Sequence, residues 1–239
     1  MISLRQIATT LADLIFPPHC CACSKPIEIG SWCDDCLLAL PYIKKPRCHQ
    51  CSLPFVEAIT GNFTCSNCHD HEFHFRCNVS AVMSRGAIRD LIHGLKYNRK
   101  SWNVTPLMQV VKTVFDDERI IDKPTVLVPV PLHSLRVRER GYNQAELLAR
   151  ALGRVSGFPV LNMLRRIRST TTQTHFDRAR RLKNLHGAFT LKTGVTLPDK
   201  HRIILVDDVF TTGATLDECS RTLVRDGFPT PDAITIARA

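Results

Sequence analysis

The stretch Ile203-Ile-Leu-Val-Asp-Asp-Val-Phe-Thr-Thr-Gly-Ala-Thr215 joins an apolar run to an acidic pair and then to a turn rich in threonine and glycine. Ile203 to Val206 is too short for a helix and reads as a buried strand, whereas Leu216, Cys219 and Leu223 recur at the spacing of a helix's inner face. Where that helix begins, the amides of Thr211, Thr212, Gly213, Ala214 and Thr215 lack intrahelical partners and lie at the positive end of the helix dipole. The threonine hydroxyls add donors, and Gly213 lets the backbone approach closely, so a phosphate fits there. Asp207 and Asp208, at the strand's carboxyl end, can accept from vicinal hydroxyls such as a ribose 2'- and 3'-OH, or stand in the outer shell of magnesium. A 5-phosphoribosyl group presents both features, and the stretch reads as a sugar-phosphate site.

These residues resemble the phosphoribosyl-pyrophosphate (PRPP) motif of type I phosphoribosyltransferases. Two further segments narrow the resemblance to the ComF family: Val128-Pro-Val-Pro-Leu-His-Ser-Leu-Arg-Val-Arg-Glu-Arg-Gly-Tyr-Asn-Gln-Ala145, and Arg165 to Phe189 with Thr-Gln-Thr at 172 to 174 and Asn-Leu-His-Gly-Ala-Phe at 184 to 189. With the N-terminal cysteine pairs, the likeness spans nearly the whole chain. It implies an α/β fold, a type I phosphoribosyltransferase-like parallel sheet flanked by helices and preceded by a small zinc-ribbon domain. PRPP, with magnesium, would lie on Asp207, Asp208 and the turn from Thr211 to Thr215. Pro131, Leu132 and His133 occupy the place of the pyrophosphate loop, with Arg136, Arg138 and Arg140 supplying charge. The segment carrying Arg165, Arg168, Gln173, Arg178, Arg180 and Arg181 corresponds to a flap over PRPP, and its basic density also suits a DNA backbone.

The family likeness implies a PRPP-binding protein of the natural-transformation machinery that binds single-stranded DNA and contacts a competence helicase or recombination factor. Two activities are open, a magnesium-dependent phosphoribosyltransferase and a catalytically inactive nucleotide-sensing or adaptor module. Purine-salvage enzymes with a similar motif carry an aspartate base three residues after the second acid. Here that position is Thr211, which argues against purine chemistry. The Thr-Thr-Gly turn resembles pyrimidine-type loops, yet no lysine lies between Arg165 and Phe176 to assist the pyrophosphate as in those enzymes.

The chain has 239 residues and 11 cysteines, all but Cys219 at or before Cys77. That shift in composition sets an expected boundary near residue 78: an N-terminal helix and double ribbon over 1–78, and the transferase-like domain over 79–239. The pairs Cys20/Cys23, Cys33/Cys36, Cys48/Cys51 and Cys65/Cys68 each repeat C-x-x-C. Each can offer two thiolates from one knuckle, so four knuckles suit about two structural zinc ions. Disulfides compete with this reading, but regular C-x-x-C spacing favours metal; sequential pairing of knuckles is the simplest of three possible assignments. Cys21, Cys77 and Cys219 read as free buried thiols.

Leu4, Ile7, Leu11, Leu14 and Ile15 share one helical face, and Arg5, Gln6 and Asp13 interrupt any signal-peptide core. No window approaches the apolar length of a membrane span, and a cytoplasmic, reducing location is expected. The 32 basic against 22 acidic residues give a formal charge of +10, which suits a polyanionic partner. Expected strands are 79–83, 125–130, 159–161, 203–206 and 233–237, and expected helices are 87–97, 143–155 and 215–226. No internal repeat is evident.

Overall fold

The computed structural model describes residues 17–55, 61, 63–120, 125–169, 185–198 and 201–239. The N-terminal amphipathic run, and Gln173, Arg178, Arg180 and Arg181, lie outside the described residues. The chain forms two compact units, one through Pro41 and one from Tyr42 to Ala239.

In the first unit, the segment from Cys20 to Pro26 makes a knuckle: Ser24 N donates to Cys20 O and Cys20 N to Lys25 O, with Ser24 in the left-handed region at φ 61°. Helix α1 (Asp34–Leu38) starts immediately after Cys33 and so presents Cys36 one turn along. The second unit repeats this local solution. Ser52 N donates to Cys48 O, Cys48 N to Leu53 O, Ser52 has φ 62°, and helix α2 (Ser66–His69) begins directly after Cys65. The repeat is legible as Cys20-x-x-Cys-Ser-x-Pro26 and Cys48-x-x-Cys-Ser-x-Pro54, a match that corrects the expectation of no internal repeat. It is short, so periodicity over longer windows does not register it.

The rest of the second unit is a sheet with helices. Strands β1 (Asn78–Met83), β2 (Thr125–Pro129), β5 (Arg202–Phe210) and β6 (Asp232–Arg238) stand in the order β1-β6-β5-β2, every pair parallel. β3 (Leu164–Arg166) and β4 (Phe189–Leu191) form a separate antiparallel pair. The helices are α3 (Gly86–Tyr97), α4 (Val104–Val111), α5 (Ser134–Arg140), α6 (Gln144–Ser156) and α7 (Ala214–Arg225). The central strands are buried on both faces, as near-continuous apolar runs such as Ile203 to Val206 require.

Four expectations change. β5 runs through both aspartates to Phe210, because polar residues at a strand end can still pair with β6; Asp207 aligns with Thr235. The segment 159–161 lies beside β2 but pairs only at Val160, through Leu127 N to Pro159 O and Leu161 N to Leu127 O. Proline at 159 cannot donate, which keeps the ladder short. The short helix α5 was hidden by its run of alternating arginines, and α4 by a proline that is tolerated in its first turn. Cys77 and Cys219 are buried, but Cys21 is exposed.

Residues 42–77 pack with the sheet. Arg119 joins Asp117 at 2.8 Å and donates to His49 O and Ser52 Oγ, while Arg47 reaches Asp117 at 2.7 Å. Arg76 meets Asp232 at 2.7 Å, and Cys48, Cys51, Cys65 and Cys68 share one core with Phe75, Phe210 and Leu216. The cysteines stop near residue 78, whereas the compact unit begins at Tyr42.

Candidate functional site

The carboxyl end of β2 lies beside β5 at the residue before the acid pair, since Pro129 aligns with Val206 and Val130 N donates to Val206 O at 3.0 Å. Loops leaving parallel strands at such an edge are where α/β folds bind ligands. Asp208 is buried with its Oδ1 2.8 Å from Lys96 Nζ, and its Oδ2 makes no hydrogen bond. Lys96 comes from the last turn of α3. Burial would lower its pKa, but the charge and hydrogen bond of Asp208, with the charge of Asp207, together outweigh burial and hold the ammonium above its usual range. Asp207 Oδ1 accepts from the Asp208 amide at 2.8 Å. Burial, reinforced by the charge of Asp208, pushes the Asp207 carboxyl up to about 7. The pair therefore consists of one neutralised carboxylate and one that is poised to take or release a proton near neutral pH.

Beyond Phe210 the chain turns through Thr211 and Thr212 to Gly213, which caps α7 at φ 82°. Thr212 Oγ1 accepts from Ala214 N at 3.4 Å, and Asp217 N donates to Gly213 O at 2.8 Å. A Cβ on Gly213 would lie 2.8 Å from both Phe210 Cζ and Phe73 Cε1, so aromatic rings support the turn from beneath. Asp217, in the first turn of α7, accepts from the His74 amide at 2.7 Å and lies 3.0 Å from His74 Nδ1. The segment after the second cysteine cluster thus grips the helix whose amino end faces the turn.

His133 caps α5 by accepting from Leu135 N, and Asn143 caps α6 by accepting from Ala145 N while donating to Val130 O. Of the three arginines expected at a pyrophosphate, Arg136 pairs with Glu139 at 3.0 Å, Arg138 is exposed, and Arg140 bonds Gln144 and lies over the Tyr97 ring. Pro131 and Leu132 line a cleft of about 490 Å³ with Arg165, Arg166, Arg150 and Lys192. None of Asp207 to Thr215 lines that cleft. Arg166 links the two regions: it bridges to His133 across the backbone, its guanidinium covers Phe189 at 5.4 Å, and it feels the charges of Asp207 and Arg136. Burial holds its pKa below the usual arginine value. Arg168 donates to His186 O at 2.7 Å.

Cys20, Cys23, Cys33 and Cys36 form one tetrad, and Cys48, Cys51, Cys65 and Cys68 another; within each, all sulfurs lie within 4.8 Å of one another. Sequential pairing of knuckles is what the fold adopts. Cys23 to Cys33 and Cys51 to Cys65 are each 3.7 Å between sulfurs. A tetrahedral zinc with Zn–S of about 2.3 Å needs sulfurs about 3.8 Å apart, so the donor sets fit two structural zinc ions. Burial would raise the Cys20 thiol, yet amides of Cys33, Cys23 and Ala22 bring it down to about 6, which favours the ligating thiolate.

A family model described as a double zinc ribbon domain matches residues 11–69. Competence protein F of Haemophilus influenzae is 30% identical over 224 residues, covering 92% of this chain and 90% of that protein. DNA utilization protein YhgH of Escherichia coli K12 is 33% identical over 222 residues, covering 90% of this chain and 94% of its own length. The chain belongs to the ComF family. Competence protein ComFC of Bacillus subtilis is 38% identical over 106 residues, 44% of this chain and 41% of that protein.

In this ComF-family chain, sequence reasoning missed two residues at the candidate site. Lys96 continues the inward ridge of Ile88 and Ile92 by another i+4 step, and a lysine on an otherwise apolar helix face was the available signal. The grip of Asp217 on His74 had no local signal, because the two are far apart in sequence. Among the described residues no helix is long and apolar enough to cross a membrane.

Proposed function

We propose that this ComF-family protein binds PRPP at the turn following β5 and acts on incoming DNA during natural transformation. The observation that carries the reading is the sequence of an acid pair with its own lysine, a glycine turn and a helix amino end at one sheet edge. In this reading Asp207 accepts from the ribose 2'- and 3'-hydroxyls, while Asp208, held by Lys96, orients the Asp207 carboxylate through its own backbone amide. The amides and hydroxyls of Thr211 to Thr215 hold the 5'-phosphate. The turn from Pro131 to His133, with Arg136 and Arg166, faces the pyrophosphate. Magnesium would arrive with the ligand's phosphate oxygens, with Asp207 in its outer shell; Lys96 already neutralises Asp208. When bound, magnesium would neutralise charge on the departing pyrophosphate. The protein's part is positioning and stabilising positive charge at the anomeric carbon.

The relatives named for competence and DNA utilization support a role in transformation. Single-stranded DNA and a helicase or recombination factor are the partners that role calls for. A nucleotide-sensing module is the second reading, favoured by Thr211 standing where a general base would be. The test measures the PRPP-induced rise in unfolding temperature with magnesium. The rise should vanish in Asp207→Ala/Asp208→Ala while the fold persists. A rise that survives the double change overturns the assignment of the sugar site. Pyrophosphate release in a single turnover distinguishes enzyme from sensor.

A further inference from the structure

We propose that the outer ridge of α3, with the turn that follows it, is a stacking track for single-stranded DNA. This rests on the DNA reading above and assigns the strand to residues outside the 165–183 segment. The inner face of α3 buries Ile88, Leu91, Ile92 and Leu95, which leaves Arg89, His93 and Tyr97 in an i, i+4 row facing solvent. The His93 and Tyr97 rings lie 4.7 Å apart with 42° between their planes, and Tyr97 remains 61% exposed. Arg140 approaches the same ring at 5.9 Å.

After Tyr97 the chain folds back along the helix. Lys100 N donates to Gly94 O at 3.2 Å and Asn103 Nδ2 to Leu91 O at 2.8 Å. Gly94 permits this approach, since a Cβ there would stand 2.6 Å from Asn103 Nδ2. The fold-back holds Trp102 beside α3 with 66% of its surface exposed. Arg99, at φ 54°, donates twice to Glu139 O and so pins the turn to α5. The acids of this surface are engaged: Asp90 lies 3.8 Å from Arg89, and Glu139 bonds Arg136.

Two large exposed rings interleaved with arginines have the chemistry of a base-stacking surface with backbone cations. Duplex DNA hides its base faces, so the rings select single strands. Lys96, the residue before Tyr97, turns inward to Asp208, so a strand on this ridge would run along the helix that braces the acid pair.

The test is the anisotropy of a labelled oligothymidylate with the full, zinc-loaded chain. Tyr97→Ala/Trp102→Ala should weaken binding by roughly ten-fold or more, since stacking of each base contributes about that much or more. Tyr97→Phe should bind like the wild type, and Arg89→Ala should lower the salt slope by roughly 0.7 for a lost phosphate contact. If the double variant, with unchanged unfolding temperature, binds as the wild type does, the track is overturned and the DNA reading stands. An equal loss for duplex DNA overturns stacking as the basis. A wild-type chain that binds no oligothymidylate overturns both.

Discussion

Asp207 and Asp208 are adjacent carboxylates with opposite fates, set by what each one faces. Lys96 neutralises Asp208, whereas Asp207 is left with burial and a like charge, which raise it to about 7. Because the folded state holds the Asp207 proton more tightly than the unfolded chain does, its stabilising contribution is complete at acid pH and is lost as pH rises through about 7. Asp207→Asn should therefore raise the unfolding temperature at pH 8 by a few degrees and leave it little changed near pH 4, where the unfolded carboxyl begins to be protonated as well. For the proposed ligand the sign reverses. A ribose diol donates to the ionised carboxylate, so PRPP affinity should fall up to ten-fold for each pH unit below the Asp207 pKa, as measured by titration calorimetry. The acid pair was legible in the sequence because both residues follow a strand-forming run. Their inequality was not, because it depends on a lysine more than a hundred positions earlier.

The turn between β5 and α7 is the element on which the candidate phosphate site depends, and its geometry rests on Gly213. Two demands meet there: a left-handed φ of 82°, and the rings of Phe210 and Phe73 where a side chain would go. Gly141 shares the first demand, at φ 89°, but has nothing within 4 Å of its would-be Cβ. Gly141→Ala should then cost about 1–2 kcal/mol from backbone conformation alone. Gly213→Ala should cost more, because packed rings must also move, and should abolish the PRPP-induced rise in unfolding temperature. Denaturant midpoints for the two variants separate the contributions. The glycine's role in the turn could be read from Thr-Thr-Gly-Ala-Thr, but the ring beneath it comes from Phe73, on a segment whose composition pointed to the ribbons.

The second cysteine tetrad is part of the core of the unit that carries the sheet, since Cys48, Cys51, Cys65 and Cys68 are buried beside Phe75 and Phe210. Its metal should therefore stabilise the whole of that unit and not merely a local loop. Cys48→Ser/Cys51→Ser should leave one zinc per chain by metal analysis and lower the unfolding temperature of the Tyr42–Ala239 unit. Its PRPP response should weaken as well, because His74 and Phe73, which follow that tetrad, brace α7 and Gly213. Unchanged stability after loss of that zinc would show that the tetrad is ornamental to the core.

The chemistry available is written into local sequence: thiolates in knuckle spacing, an acid pair after an apolar strand, a glycine turn into a helix, and a parallel sheet implied by alternating apolar runs. Each of these is local, fixed by side-chain type and by periods of two or about four residues. The tertiary structure decided which distant groups complete them. Lys96 meets Asp208 because α3 crosses beside the carboxyl end of β5, Asp217 meets His74 because residues 42–77 pack on the sheet, and Val206 meets Val130 because β5 and β2 are neighbours. Such pairings depend on chain topology and on the burial of apolar surface across elements, and local pattern carries no record of either.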